Sequence, residues 1–297
     1  MQSFSRGWSF LKQAWEMAFK DKDLLKPSIY ALLAGAIISV VGVVPLALGY
    51  LIFGTEGVGG LVMLFMGGIL IFVQFAAAYV FSAMTIYLIY GYLAEGDGRM
   101  DKAWAIVRRD FFDILTLAAV STAVNMLKSA ARRSRKNGVA ANFARSTASL
   151  LQTLWTEASY LVLPAMVIDD LNLKDGLQRV WTIARENLLL VGVSAVGVRA
   201  VTGLIGFVFS VIGFAIAFAV GGGLTYLSGG AAALSIAGIV IGALIFFAFA
   251  MAATVFSSYT NTAYYTCLYL WARQAEAARA QGAAMPAAPA PLAAALA

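Results

Sequence analysis

Two ionisable residues lie within apolar segments of the sequence, Glu157 and Arg199. A charged side chain near the middle of a bilayer costs about 2.5–3.5 kcal/mol or more unless it is paired or hydrated, so such residues are the first candidates for function. Both lie about 16–18 Å from the ends of their segments, at 1.5 Å per residue. We predict that they form an ion pair. Such a pair either holds two helices together or serves a proton or ion relay or as a counter-charge for a substrate.

A second group of polar side chains is concentrated in the last apolar segment, within SSYTNTAYYTC at 257–267. Polar residues at helical spacing either bind membrane helices to each other or line a wet cavity. Gly238 and Gly242 of the same segment form a GxxxG motif, which is typical of close helix packing. Both readings stay open for one set of residues: Ser257, Asn261, Tyr264 and Tyr265 on one helical face, with Ser82 and Thr85 at the matching place of an earlier segment.

The residue types that most enzymes and metal sites require are scarce. The chain has no histidine and a single cysteine, Cys267, which argues against a zinc or haem site and against an internal disulfide. We find no nucleophile elbow, no phosphate-binding glycine loop and no acidic metal cluster in the sequence. The sequence therefore predicts no catalytic residue, no cofactor and no metal.

Composition indicates the elements that must position these residues. Of 297 residues, 61% are hydrophobic and 12% are charged, against about 25% charged in soluble domains. No charge occurs between Lys26 and Glu56, between Glu56 and Glu95, or between Arg199 and Arg273. A membrane-spanning helix needs about 20 mostly apolar residues. We therefore predict an all-α, polytopic membrane bundle, inserted without a cleavable signal peptide.

Six spans fit the apolar pattern, and the third is the shortest of them. They form one transmembrane domain at 1–272, followed by an Ala/Pro-rich cytoplasmic tail at 273–297 with little structure of its own. The predicted spans lie at about 27–53, 61–94, 111–127, 147–168, from 187 onward, and 232–271.

Amphipathic segments precede the odd-numbered spans, at 4–22, 100–111 and 174–186. Each carries tryptophan on an apolar stripe and is followed by basic residues, as in helices that lie in the membrane interface. The chain thus reads as three degenerate units of interfacial helix plus spanning hairpin, at about 4–94, 99–168 and 172–271. The expected interfacial anchors are Trp8, Trp15, Trp104 and Trp181.

The distribution of Lys and Arg predicts topology. Fourteen lie on the side that holds both termini and six on the other, which places both termini in the cytoplasm of a prokaryotic inner membrane. A net charge of +6 favours anionic membrane lipids as partners and gives no reason to expect nucleic acid. One basic loop lies on the outer side in this prediction, although Lys and Arg usually favour the cytoplasmic side. It either binds an anionic partner or is simply solvated, and its basic residues are Arg132, Arg133, Arg135 and Lys136.

Two stretches carry a family resemblance: FSRGWSFLKQAWEMAFKDKDLLKPSIYALL near the start and YLVLPAMVIDDLNLKDGLQRVWTIARENLL near residues 159–190. They resemble an integral membrane family of bacteria and archaea that has no assigned function. The resemblance implies a six-helix prokaryotic membrane protein and supplies no catalytic residues.

The sequence favours a non-catalytic scaffold or accessory subunit, possible as a homo-oligomer or with a partner membrane protein. A channel or transporter for a small solute, ion or lipid is the alternative, and an intramembrane lipid enzyme comes third. A dry, paired interior beside an exposed apolar flank would favour the scaffold, whereas a water-filled path past Glu157 would favour transport.

Overall fold

A computed structural model describes residues 2–54, 57–133, 139–227, 232–284 and 286–296. Within these residues the chain is all-α, with nine α-helices, one 3-10 turn at Lys22–Leu24 and no strand. The helices are α1 Gln2–Lys20, α2 Lys26–Phe53, α3 Val58–Glu95, α4 Met100–Arg109, α5 Phe111–Arg133, α6 Val139–Asp169, α7 Leu173–Leu227, α8 Ala232–Ala280 and α9 Ala290–Leu296.

Among the residues that the structure describes, five segments are long and apolar enough to cross a membrane: 22–53, 58–95, 111–132, 200–227 and 235–280. This confirms the coarse prediction of a helical, multi-pass composition. The predicted fourth span, 147–168, lies in α6 and is not among the five. Gln152, Thr153, Thr156 and Glu157 make α6 more polar than its neighbours, and its apolar stretch 161–167 is buried by protein.

The contact pattern divides the chain into two units. The first contains residues 1–20, 189–264 and 287–297, and therefore α1, α9 and parts of α7 and α8. The second contains residues 21–188 and 265–286, with α2 to α6 and the remaining parts of α7 and α8. The three predicted sequence units are therefore not the contact units of the fold.

Two of the three predicted amphipathic segments end at a helix break. Between α1 and α2, the Asp21 carboxylate accepts the N–H of Asp23 at 2.9 Å, and Pro27 stands in the first turn of α2, where a missing N–H is harmless. Asp110 caps the C-terminal end of α4 and separates it from α5. No break occurs near Asn187, because α7 continues from Leu173 to Leu227.

The core of the second unit is formed by one end of each of its helices, the end that the sequence predicts to lie on the cytoplasmic side. Residues 83–86 of α3, 161–167 of α6 and 265–272 of α8 are buried. Ala165, Ile183 and Tyr269 pack in one cluster there. In contrast, the opposite ends of α2 and α3 expose large apolar side chains such as Leu51 and Leu61, as a lipid-facing surface requires.

The core of the first unit is built on α1. Phe10 packs edge-on against Tyr264, with ring centroids 5.5 Å apart, and Trp15 stacks on Phe256 at 4.7 Å. The Tyr259 hydroxyl donates to the Ala14 carbonyl oxygen at 3.0 Å. Much of the apolar stripe of α1 is therefore covered by protein rather than left for the membrane interface.

The C-terminal residues have more structure than the sequence predicts. Helix α8 extends to Ala280, and Gly282, just beyond its end, has a φ of +64°, a left-handed value that glycine accepts readily. The Trp271 indole N–H donates to the Pro286 carbonyl oxygen at 3.2 Å. Helix α9 then packs on α1, with Leu292 fully buried. Burial of these few apolar side chains offsets the low intrinsic order of an Ala/Pro-rich segment.

Candidate functional site

Glu157 occupies a hydrogen-bonded position on α6. The Tyr265 hydroxyl of α8 donates to Glu157 Oε2 at 2.6 Å. The Tyr265 ring stacks on Tyr160, one helical turn further along α6, with centroids 5.0 Å apart and planes at 6°. A carboxylate inside a helical bundle is stabilised by such a donor, and the stack fixes the direction from which the donor arrives.

The predicted partner of Glu157 cannot be assigned from the geometry. Helix α7 contains Arg199, but its side chain lies outside the described residues. The Glu157–Arg199 pair stays a prediction. The contact that the structure does give, Tyr265 to Glu157, joins two residues that the sequence had singled out separately.

A second hydrogen-bonded group lies among α3, α5 and α6. The Tyr79 and Ser121 hydroxyls are 2.7 Å apart, and the Trp155 indole N–H donates to Ser121 Oγ at 2.8 Å. Ser121 is buried. No sequence pattern singles out these residues, because serine, tyrosine and tryptophan are common in membrane helices and only their convergence is informative.

The polar residues predicted on α8 and α3 form hydrogen bonds within their own helices or pack against aromatic rings. The Thr85 hydroxyl donates to the Phe81 carbonyl of its own helix at 3.1 Å, and Tyr264 is buried against Phe10. Asn261 Nδ2 lies 3.4 Å from Ser257 Oγ. The division of the chain falls between Tyr264 and Tyr265, so the predicted single polar face belongs to two units. Ser82 is half-buried, and neither reading of it is tested.

A network of charges joins the end of α6 to α7 and α8. Asp169 accepts a hydrogen bond from the Tyr269 hydroxyl, and Arg273 Nε lies 3.1 Å from Asp169 Oδ1. Arg179 of α7 forms an ion pair with Glu276 of α8. These pairs fix the ends of three helices to one another and are partly accessible to solvent, so each contributes modestly.

The same network continues to α4. Arg109 Nε lies 2.6 Å from Asp110 Oδ1 and 3.2 Å from Asp170 Oδ1. The Asp110 carboxylate raises the pKa of the Arg109 guanidinium above its usual value, chiefly through this hydrogen bond. Asp170 has a φ of +56°, a left-handed conformation that aspartate tolerates better than most residues and that ends α6. The 95–110 and 169–186 links, both predicted to be cytoplasmic, are therefore in contact.

The predicted surface residues are found in different environments. Trp8, Trp104 and Trp181 expose 51%, 41% and 70% of their surface, whereas Trp15 is half-buried against α8. Arg132 is exposed on α5. The rest of the predicted basic loop, Arg135 and Lys136 together with the Arg133 side chain, lies outside the described residues.

No cluster of three or more His, Cys, Asp or Glu side chains that could hold a metal ion occurs in the described ranges. Cys267 is fully buried, which leaves its thiol without access to solvent. A comparison of this chain with protein-family models and with curated protein sequences finds no match.

Proposed function

We propose that this protein is a non-catalytic membrane scaffold or accessory subunit, which acts through its exposed helix faces. The observation that carries the proposal is the environment of Glu157, whose carboxylate is held by Tyr265 at 2.6 Å beside the Tyr160 stack. A fixed, hydrogen-bonded interior beside long exposed apolar flanks is what a scaffold requires.

The exposed flanks support the same view. Two open grooves, of about 530 Å³ on α7 and α8 and about 390 Å³ on α2 and α3, have almost wholly apolar linings. Such surfaces suit lipid chains and the apolar helices of neighbouring subunits. Accordingly, the partners we propose are anionic membrane lipids together with a second copy or a different membrane protein.

The assembly can be measured directly. We expect native mass spectrometry of the protein, extracted gently from its own membranes, to show a mass above that of one chain, either a multiple of 31.5 kDa or a complex with a second protein. A monomer that persists in several mild detergents and after crosslinking in the membrane would contradict the scaffold.

The alternative function is transport past Glu157, which is favoured by the presence of a carboxyl group within an apolar bundle. Solute or proton flux into liposomes that contain the protein would support it, provided that Glu157→Gln abolishes the flux. Thr156→Val is a matched control, because Thr156 is the exposed neighbour on the same helix and its hydroxyl donates to the Gln152 carbonyl oxygen of that helix. Flux that depends on Glu157 would replace the scaffold proposal.

The proposed topology has six spans, including α6, with both termini in the cytoplasm of a prokaryotic inner membrane. Cysteine labelling tests it without removing Cys267, because that thiol is buried. A cysteine at Val58, which is 73% exposed, should react with an impermeant reagent from outside. Cysteines at the exposed residues Asp97 and Asp175 should react only after permeabilisation. Labelling of Asp175 from outside would contradict the six-span arrangement.

A further inference from the structure

The six tryptophans fall into two groups by the hydrogen bonding of the indole N–H. Trp15, Trp155 and Trp271 donate to Thr260 Oγ1, Ser121 Oγ and the Pro286 carbonyl oxygen. The other three have no acceptor within the part of the chain that the structure describes, and each exposes 41% or more of its surface: Trp8, Trp104 and Trp181. A tryptophan N–H usually has a partner, so these three donors are available to a ligand.

An exposed basic residue follows each of these tryptophans at i+4. The three pairs are Trp8 with Lys12, Trp104 with Arg108, and Trp181 with Arg185. Side chains four residues apart on a helix share a face, with Cβ atoms about 5–6 Å apart. Each pair therefore presents an indole N–H and a cation side by side on its own helix.

Several basic residues near the helix ends are bound to carboxylates, but these three are not. None of the three forms a salt bridge in the described residues, and Glu16, the acid nearest to Lys12, is held by Lys20 at 3.0 Å. The bound ones are engaged as follows: Lys26 by Asp23, Arg99 by Asp101, Lys102 by Glu95, Arg109 by Asp110 and Asp170, Arg179 by Glu276, and Arg273 by Asp169. Lys22 and Lys174 are also exposed and outside these ion pairs, but neither follows a tryptophan at i+4. What distinguishes Lys12, Arg108 and Arg185 is therefore the exposed indole beside each cation.

Burial orients the pairs toward the edge of each helix. In α1 and α4, the residues immediately before the tryptophan and before the cation are buried: Gly7 and Leu11, Ala103 and Val107. In α7 the residue before Trp181, Val180, is buried as well. Successive helical residues are about 100° apart, so the pair lies beside the protein-covered stripe and not opposite it. A helix that rests on a bilayer presents such an edge to the lipid headgroups.

We infer that the three Trp-x-x-x-Lys/Arg pairs are equivalent binding sites for the phosphate of an anionic phospholipid. The cation and the indole N–H both donate to phosphate oxygens, while the indole ring lies at the depth of the glycerol and ester groups. The inference deepens the lipid partnership proposed above and rests only on the membrane location, not on the scaffold role.

Native mass spectrometry of the detergent-solubilised full-length protein, titrated with phosphatidylglycerol or phosphatidylcholine, tests the sites. We expect phosphatidylglycerol to bind about five-fold more tightly per site, the ratio that an attraction of about 1 kcal/mol per basic residue gives. In the triple variant Lys12→Gln, Arg108→Gln, Arg185→Gln, the ratio should fall to about one.

A matched triple variant removes the same charge from cations that are already bound to acids: Lys20→Gln, Arg99→Gln, Lys102→Gln. It should keep the preference to within about two-fold. If it loses the preference as fully as the first triple variant, net charge and not the pairs explains the binding, and the inference is wrong. The inference is also wrong if the first triple variant still prefers phosphatidylglycerol to phosphatidylcholine. Arg108→Lys keeps the positive charge and should bind phosphatidylglycerol as tightly as the wild type does. It therefore controls for the case in which replacing Arg108 misfolds the protein.

Two further arms separate the chemistry of the site. Trp104→Phe removes the indole N–H while leaving Arg108, and should weaken lipid binding at that site about three-fold, as expected for one hydrogen bond. Inorganic phosphate at millimolar concentration should not displace the lipid; displacement would assign the sites to a free anion instead. The same spectra report the mass of the assembly, so failure of the scaffold proposal is read from the protein peaks and failure of this inference from the lipid adducts.

Discussion

The two apolar hairpins of the molecule are held together in different ways. In the α7–α8 hairpin, glycines bring the two backbones into contact. A Cβ on Gly221 would lie 2.7 Å from the Gly238 carbonyl oxygen, and a Cβ on Gly242 would lie 2.9 Å from the Ala217 carbonyl oxygen. The GxxxG motif of α8 thus faces small residues of α7, as in other closely packed membrane helices.

In the α2–α3 hairpin, side chains of α3 fill the spaces above glycines of α2. Leu70 lies over Gly42, with its Cδ1 2.2 Å from where a Cβ would be. A hydrogen bond from Gln74 Nε2 to Ser39 Oγ, 3.1 Å long, adds a polar contact between the helices. Pro45 lies inside α2, where it removes one backbone hydrogen bond and favours a bend.

This difference determines how well each hairpin tolerates an added methyl group at a glycine. A backbone atom cannot move without moving its helix, whereas the end of a leucine side chain can change rotamer. We therefore expect the α7–α8 hairpin to be sensitive to a single added methyl group and the α2–α3 hairpin to absorb one.

The largest effect should come from Gly221→Ala, because its new methyl group meets backbone atoms of α8. We expect a loss of about 1–3 kcal/mol of stability, the usual cost of overpacking. The measurement is thermal or denaturant unfolding in detergent. Gly222→Ala is the matched control, since a Cβ there meets nothing within 4 Å and alanine is the better helix former. Equal effects of the two changes would refute the backbone contact.

A smaller effect is expected for Gly42→Ala in the other hairpin. The methyl group displaces only the end of Leu70, so the loss should stay below about 1 kcal/mol, within the range of tolerated core changes. Adding Leu70→Ala should relieve the clash, so that the double variant is more stable than the sum of the two single changes predicts. Gly35→Ala, on the same helix with open space around it, should be nearly neutral. Strict additivity would show that the two residues do not touch.

The smallest effect is expected for Gln74→Leu, which removes the polar contact of the α2–α3 hairpin. Interhelical hydrogen bonds in membrane proteins average about 0.6 kcal/mol, and we expect a loss of that size. Once Gln74→Leu has removed the contact between the helices, Ser39 keeps only its hydrogen bond to the Gly35 carbonyl of its own helix. In that background, Ser39→Ala should therefore lower the stability by no more than the loss of this one bond. A coupling above about 2 kcal/mol in the double-mutant cycle would mean that this contact, and not Leu70, holds the hairpin.

The long apolar helices were predictable because lipid imposes a length and excludes charge. The predicted spans at 27–53 and 61–94 lie within α2 and α3 for that reason. Asn187, the predicted start of the fifth span, lies inside α7, because an amphipathic segment and an apolar segment can be consecutive parts of one helix. The docking of α9 was missed, since it depends on the surface of α1, which is distant in sequence.

The candidate site was predictable in its residues but not in its contacts. The cost of a charge in lipid singled out Glu157, and helical spacing singled out Tyr265. Their hydrogen bond depends on how α6 and α8 are rotated about their axes, which a single sequence does not reveal. For the same reason, the sequence pointed to Gly238 and Gly242 but not to Gly221, the residue that they contact.

The first helix of the chain packs against its last ones, and this has a consequence for synthesis. Helix α1 is synthesised well before the residues that cover it, because Phe256 and Tyr259 of α8 follow some 240 residues later and α9 later still. At about 5–20 residues per second, α1 waits roughly 10–50 s for its partners. During that interval the apolar face of α1 can bind the membrane surface. A chaperone or a protease can bind it as well. Nascent chains that stall before Tyr259 should therefore expose α1 to proteolysis.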